Sequence, residues 1–186
     1  MLTVTVMFTM LLGTSYAWYQ FDYAVTPFNN VQTFEETLDD LAIVFTNSNN
    51  IKTSTGIPIT SSQVEDYAEK TNFTITPSSA KLSGKEVAFQ IDLTEINIDK
   101  ELTMTRDLKW QLFETIGTGT KNKIAEGDFF NANGQSLVLK SMTKITTFDI
   151  TYSYEFRIWL QESGGNQNNL MGKSLSGKII VSSAIR

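Results

Sequence analysis

The most regular pattern of apolar and polar residues in this chain runs from Phe148 to Leu160. Apolar side chains occupy every second position of the run, and polar side chains such as Asp149 and Glu155 lie between them. Because successive side chains of a β-strand point to opposite faces, the alternation predicts a strand with one buried face and one polar face. At about 3.3 Å per residue this strand would span roughly 40 Å, so we expect it to bend or bulge and to serve two sheets.

Similar alternation recurs in shorter segments that are separated by turn-forming residues. The strands predicted from it cover residues 19–25, 41–46, 73–77, 87–98, 108–113, 124–130, 137–139 and 175–181. One helix is predicted over Ser61–Thr71, where Ser62 and Glu65 have the spacing of a capping box. Asp66 and Lys70 stand one turn apart in this helix, as a weak ion pair. Many short strands, frequent turns and a single helix predict an all-β fold, an antiparallel β-sandwich of the jelly-roll or immunoglobulin-like kind.

The first 19 residues form an apolar N-terminal segment without a charged side chain, and two interpretations of it remain open. Leu2–Leu12 has the length of the hydrophobic part of a signal peptide, and Ser15 and Ala17 form the small-x-small pattern that precedes a cleavage site. With more apolar residues upstream, the run would be long enough for a membrane anchor. Alternatively it is a strand, because apolar residues recur at every second position. These residues are Leu2, Val4, Val6, Phe8, Met10 and Leu12.

The predicted domain organisation follows from this segment. Residues 1–17 are a signal segment, an anchor or a strand donated to another subunit, and residues 18–186 are the β-sandwich domain. A second alternating segment opens the sandwich domain. It consists of Tyr19, Phe21, Tyr23 and Val25. If residues 1–17 are removed by processing, this aromatic segment is the one that remains for donation.

Composition narrows the chemistry that is open to the protein. Of its 186 residues, 41% are hydrophobic and 19% are charged, which is typical of a folded domain with a sizeable core. The chain has no cysteine and no histidine, which excludes disulfides, thiol nucleophiles, Ser-His-Asp triads and histidine-based zinc sites. A net charge of −5 and a pI near 4.8 disfavour binding to the phosphate backbone of nucleic acid.

Three motifs suggest chemistry, and a structural explanation is preferred for each. Gly172–Lys178 has the spacing of a phosphate-binding loop, but a strand is predicted to follow it, whereas such a loop must open a helix. Asp128–Gly134 places oxygen atoms near a glycine, but it lacks the spacing of a calcium loop and fits an Asn-Gly turn. Thr33–Asp40 is predicted to be a loop or helical turn whose carboxylates are solvated. We therefore predict no catalytic, metal-binding or cofactor-binding residues.

Trp159 departs from the pattern of its own strand. Its parity places it on the polar face, beside Arg157. An aromatic side chain on a polar face contacts another subunit, stacks on a sugar ring or is covered by a loop. All three interpretations remain open, and Trp159 and Arg157 are the candidate surface contacts.

The two ends of the chain resemble a known family. Tyr154–Leu160 followed by Met171–Ile179 resembles the closing strands of TasA/camelysin-like surface proteins of Gram-positive bacteria, and Gly13–Trp18 is similar to their junction of signal segment and mature chain. The resemblance implies a secreted or membrane-anchored sandwich that builds extracellular fibres of a biofilm matrix. It also implies that an N-terminal strand of one subunit completes the sheet of the next. The metalloprotease activity associated with camelysin-type members does not carry over, because its histidine motif is missing.

Pattern and resemblance together predict a non-enzymatic cell-surface protein that assembles into fibres or matrix by donation of an N-terminal strand. The expected partners are other copies of the chain, related matrix subunits and, before processing, the membrane. No cofactor and no nucleic acid is expected. One alternative is a monomeric surface adhesin or carbohydrate-binding module that uses Trp159. Another is a hydrolase that acts through paired carboxylates.

Overall fold

Ten β-strands make up most of the part of the chain that the structure describes. The computed structural model describes residues 36–37, 43–46, 50–78 and 87–185. The strands are β1 (Glu36–Thr37), β2 (Ile43–Thr46), β3 (Asn50–Ser54), β4 (Glu69–Pro77), β5 (Val87–Ile98), β6 (Leu108–Ile116), β7 (Asn122–Asp128), β8 (Leu137–Lys144), β9 (Tyr152–Leu160) and β10 (Ser174–Ile185). Short helices are α1 (Val64–Tyr67) and α2 (Lys100–Thr103), and 3-10 turns lie at Ser61–Gln63 and Asn168–Leu170.

The strands form two antiparallel sheets. Sheet A has the order β1-β2-β4-β9-β6-β7, and sheet B has the order β3-β10-β5-β8. β9 lies inside sheet A, where Tyr154 is opposite Phe73 of β4 and Phe156 is opposite Leu112 of β6. β10 lies inside sheet B, antiparallel to both β3 and β5. The most regular strand of the sequence is therefore an interior strand that is paired on both sides.

The hydrophobic core fills the space between the two sheets. β4, β5, β6 and β9 contribute alternate side chains to this layer, as the sequence pattern predicts. The largest fully buried side chains are Tyr154, Phe73, Phe89, Phe129 and Phe156. Phe89 of sheet B contacts Tyr154 of sheet A edge to face, with ring centroids 6.4 Å apart. The predicted all-β, antiparallel sandwich is thus confirmed.

The strand predicted over Phe148–Leu160 is shorter than expected. β9 begins at Tyr152 and stays within sheet A, so the prediction that one long strand serves two sheets is wrong. Asp149 has a φ of 57°, and its N–H donates to the carbonyl of Pro77 at 2.8 Å. Since a positive φ breaks the extended geometry of a strand, the alternation before Tyr152 belongs to a turn.

The helix predicted over Ser61–Thr71 is reduced to a 3-10 turn and a single turn of α-helix. Thr60 and Gln63 form the capping box, upstream of the predicted pair. Ala68 is already extended, with a φ of −67° and a ψ of 144°, and β4 begins at the next residue. Pairing with β9 satisfies the backbone groups of this part of β4, and this tertiary contact overrides the helical pattern.

β3 is not among the predicted strands, and several other elements differ from prediction at their ends. Residues Glu36–Thr37, within the acidic stretch, pair with β2 as a short strand and are not a loop or helical turn. β10 continues to Ile185, beyond the predicted end. β8 extends to Lys144, and its pairing with β5 shifts register on both sides of Ile91. At these bulges Lys140 is opposite Ile91, a core residue, so its side chain is directed into the sandwich.

Candidate functional site

The outer face of sheet A carries the candidate site, because the segment from Ile59 to Ala68 lies over it. The N–H of Ile59 donates to the carbonyl of Leu160, at the end of β9, at 2.9 Å. Ile59, Val64 and Ala68 form a small buried cluster, and Trp159 packs against it. Trp159 is therefore covered in part by the protein's own helical turn and is half-buried.

Arg157 is the buried charge beneath this segment, with 2% of its surface exposed. Its Nη1 lies 2.6 Å from Oε2 of Glu65, and its Nε donates to Oε1 of Glu155 at 2.5 Å. The guanidinium carbon lies 4.2 Å from the centroid of the Phe113 ring. Lys121 lies 2.9 Å from Glu155 and 3.6 Å from Glu65. This ion cluster joins α1 to the outer face of the sheet.

The charges of the cluster keep one another ionised. The hydrogen bond from Arg157 and the nearby positive charges lower the pKa of Glu65. Burial alone would raise the pKa of Glu155, but hydrogen bonds from Lys121 and Arg157 lower it below its ordinary value. Burial also opposes the charge of Arg157, and the two carboxylates outweigh it and raise the pKa of Arg157. The cluster is suited to binding and positioning rather than to proton transfer at neutral pH.

A half-open groove of about 500 Å³ adjoins the ion cluster. It lies over β6, between α1 on one side and β7 on the other. Its lining includes the indole-bearing Trp159, the buried Arg157 and several planar polar side chains. Among the latter are Gln111, Glu126, Asp128 and Gln161. We call this feature the Trp159 groove.

A second polar cluster lies between the two sheets. Lys140 of β8 forms an ion pair with Glu114 of β6, and their side chains are 12% and 14% exposed. The hydroxyl of Tyr154 donates to Oε1 of Glu114 at 2.6 Å, and the Lys140 ammonium lies 4.6 Å from the centroid of the Phe89 ring. Burial and the adjacent carboxylate raise the pKa of Tyr154. Because its members come from both sheets, the cluster links sheet A to sheet B near β8.

The flank formed by β7 and β8 is the third feature. β7 is the last strand of sheet A, β8 is the last strand of sheet B, and the two strands contact each other. β7 presents charged side chains, among them Lys123 and Glu126. β8 exposes 52% of Val138 and 47% of Met142. The four successive residues Ser141–Lys144 are all exposed, so this end of β8 is uncovered on both faces.

The residues that the sequence singled out fall into two groups. Trp159 and Arg157 lie together in the groove, but Arg157 is buried in the ion cluster and is not an exposed contact. The predicted assembly residues and processing residues lie outside the described part of the chain, as does the division at residue 17. They are Leu2, Val4, Val6, Phe8, Tyr19, Phe21, Tyr23, Val25, Ser15 and Ala17.

The backbone explains two of the motifs that suggested chemistry. Ser174–Lys178 belongs to β10, so the glycine-rich segment enters a strand and not a helix, as predicted. The carboxylate of Asp128 accepts hydrogen bonds from the N–H of Phe130 and from Arg106. Gly134 adopts a φ of 70° in the turn that follows. Within the described ranges, no group of three or more carboxylates could hold a metal ion.

Sequence reasoning missed the partners of Arg157 and the charged cluster between the sheets. The predicted pair of Lys70 with Asp66 is replaced by an ion pair with Glu65, at 3.9 Å. Lys121 reaches the Arg157 cluster from another part of the chain, which no local spacing indicates. The sequence held one signal for the cluster between the sheets. Glu114 lies two residues after the buried Leu112 of the same strand, so both side chains point to the same face of β6.

No family model and no curated protein matches this sequence. None of the helices in the described ranges is long and apolar enough to cross a membrane. The described residues form an antiparallel β-sandwich with a polar groove on sheet A and an exposed terminal strand in sheet B.

Proposed function

We propose that this protein is a structural, non-enzymatic subunit of the cell surface that assembles with copies of itself by strand donation. The single observation that carries the proposal is β8, a terminal strand that exposes apolar side chains. The resemblance of the two chain ends to TasA/camelysin-like proteins supports the cell-surface location and the assembly into fibres or matrix. The strand to be donated is one of the two alternating N-terminal segments.

β8 has the features of an edge that accepts another strand. A terminal strand offers unpaired backbone groups on one side, and natural sheets commonly protect such edges with charged side chains. Lys140 lies in the middle of β8, but its ammonium is engaged with Glu114 inside the sandwich. The exposed side chains of β8 are those of Val138, Ser141, Met142, Thr143 and Lys144, so its exposed charge is confined to the last residue of the strand. β7, with its charged surface, is the less suitable edge.

The N-terminal segment of a second copy is the proposed occupant of this edge. Backbone hydrogen bonds to β8 would supply the pairing, and the apolar face of the donated strand would cover the uncovered end of β8. Two sets of side chains have the required alternation. They are Leu2, Val4, Val6 and Phe8, and Tyr19, Phe21, Tyr23 and Val25. Processing after residue 17 would leave only the second set.

Truncation tests the donated segment. Size-exclusion chromatography with light scattering and electron microscopy compare chains of residues 1–186, 18–186 and 29–186. We expect polymers from the first chain and monomers from the last. Assembly of residues 18–186 would assign donation to the aromatic set, and its loss would assign donation to residues 1–17. A monomeric full chain at every concentration would contradict the proposal and favour a monomeric adhesin.

Substitution at the edge tests the acceptor. The double variant Val138→Glu/Met142→Glu places charge on β8 and is expected to abolish assembly, because charge on an edge strand disfavours pairing. Met104→Glu is the matched control, since Met104 is 67% exposed and lies outside the strands, after α2. Polymers of normal length from the double variant would show that β8 is not the acceptor.

A further inference from the structure

The Trp159 groove combines an aromatic side chain, planar polar side chains and a buried arginine, and we infer that it binds a neutral saccharide through one pyranose ring. The groove lies on the outer face of sheet A, whereas strand donation would use the edge of sheet B. The two activities are therefore separable, and the saccharide site is expected in monomers and polymers alike.

The indole of Trp159 supplies a fixed stacking surface. It packs against the Ile59, Val64 and Ala68 cluster and also lines the groove. Its Nε1 donates to Oε1 of Gln161 at 3.0 Å, which sets the orientation of the ring. The apolar C–H face of a pyranose stacks on an aromatic ring of this kind, and a ring that is already held in place loses little freedom on binding.

Planar polar side chains surround this surface and match the hydroxyl groups of a sugar. Nε2 of Gln111 donates to Oε2 of Glu126 at 3.1 Å. Both side chains keep further hydrogen-bonding capacity, because an amide offers two donors and an acceptor and a carboxylate accepts several hydrogen bonds. Ser61 adds a hydroxyl from the other side of the groove. A sugar hydroxyl both donates and accepts, so it suits this mixture of groups.

The balance of charge favours a neutral ligand. The lining carries two cationic and three anionic side chains, so an anion would meet more carboxylates than cations. Both cations are also already paired. Lys109 lies 3.8 Å from Asp128, and Arg157 lies 2.6 Å from Glu65. A phosphate or carboxylate ligand would have to displace these carboxylates, whereas a neutral polyol would not.

Arg157 provides the second and independent indication of a ligand. Its Nη2 is buried and has no hydrogen-bond partner among the described residues, although Nη1 and Nε each have a carboxylate partner. A buried donor without an acceptor is costly, so an acceptor that reaches it is favoured. The side chain of Glu65, 64% exposed, lines the groove beside the guanidinium. A ligand hydroxyl that enters there supplies the acceptor.

Titration calorimetry and saturation-transfer NMR test the site on the full chain and on the Val138→Glu/Met142→Glu chain. The probes are neutral tetrasaccharides of glucose, mannose, galactose and N-acetylglucosamine, together with a tetragalacturonate as the charged comparison. We expect at least one neutral probe to bind both chains, with about tenfold loss of affinity in Trp159→Ala. Tyr67→Ala is the control, because Tyr67 is an exposed aromatic of the same segment that does not line the groove.

Gln111→Ala is a second test variant in case Trp159→Ala does not fold, because Gln111 lies on β6 and outside the segment that covers Trp159. It is expected to weaken binding several-fold while the far-ultraviolet spectrum and unfolding midpoint stay close to those of the parent chain. Absence of binding by every neutral probe at millimolar concentration would overturn the inference. Binding of the charged probe alone, or binding that neither variant weakens, would overturn it as well. A parent full chain that binds a neutral probe but stays monomeric at every concentration would refute strand donation only.

Discussion

Removal of either member of the Lys140–Glu114 ion pair is expected to destabilise the protein, whereas removal of both is expected to cost little. Loss of one partner from a buried ion pair costs about 3–5 kcal/mol, because the other charge is left without compensation. The two side chains are 12% and 14% exposed, and the hydroxyl of Tyr154 remains as a partner for either one. We therefore expect about 2–3 kcal/mol for Lys140→Met and a similar loss for Glu114→Leu.

The double variant Lys140→Met/Glu114→Leu replaces both charges by apolar side chains of similar length. Its main remaining cost is the hydroxyl of Tyr154, which loses its acceptor, so its free energy of unfolding should lie within about 1–2 kcal/mol of the parent value. Urea unfolding followed by tryptophan fluorescence and circular dichroism gives the four free energies of this cycle. The expected coupling energy is about 3 kcal/mol.

The surface ion pair of Lys123 and Glu126 is the matched control. Its charged atoms are 2.7 Å apart, but its side chains are 44% and 57% exposed. Since solvent screens such pairs, the cycle of Lys123→Met and Glu126→Leu should give a coupling energy below about 0.5 kcal/mol. If both cycles gave the same small coupling energy, the reasoning that the interior pair ties the two sheets would be refuted.

Three further predictions concern packing and pH. Gly127→Ala should lower the free energy of unfolding by about 1–3 kcal/mol in urea titrations, because the added methyl group would lie 2.8 Å from the Trp110 ring. Gly56→Ala is the control, because the space around Gly56 is open. Burial raises the pKa of Glu69, so the folded state prefers its protonated form, and Glu69→Gln should be more stable than the parent at pH 7 but not at pH 3. The pKa of Tyr154 is raised above the ordinary value of 10.0, so the free energy of unfolding should fall as pH rises above that value. Chemical denaturation at several pH values should show a less steep fall for Tyr154→Phe.

The alternation of β5 shows where sequence alone was sufficient. Its residues from Val87 to Leu93 alternate without interruption, and the structure buries every second side chain of this run. The strand continues to Ile98, as predicted, since apolar residues recur at its end. A strand whose faces differ this strongly has one favourable orientation in a sandwich, because a shift by one residue would expose the whole apolar set.

The run before Tyr152 and the segment Ser61–Thr71 show where local pattern failed. Asp149 interrupts the alternation with a positive φ that the pattern does not reveal. A short helical pattern contributes less free energy than the hydrogen bonds that β4 gains with β9, so the strand displaces most of the helix. In both places a contact with a distant part of the chain decided the outcome.

The sequence by itself indicated most of the strands and their apolar faces, because side-chain alternation in a strand is a local property of the backbone. It did not indicate β1 or β3. It did not determine what covers the polar faces. Only the tertiary structure placed α1 over Trp159, buried Arg157 between Glu65 and Glu155, and directed Lys140 between the sheets. These placements depend on strand order, on bulges and on the path of a connecting segment, and each brings together residues that are distant in the chain.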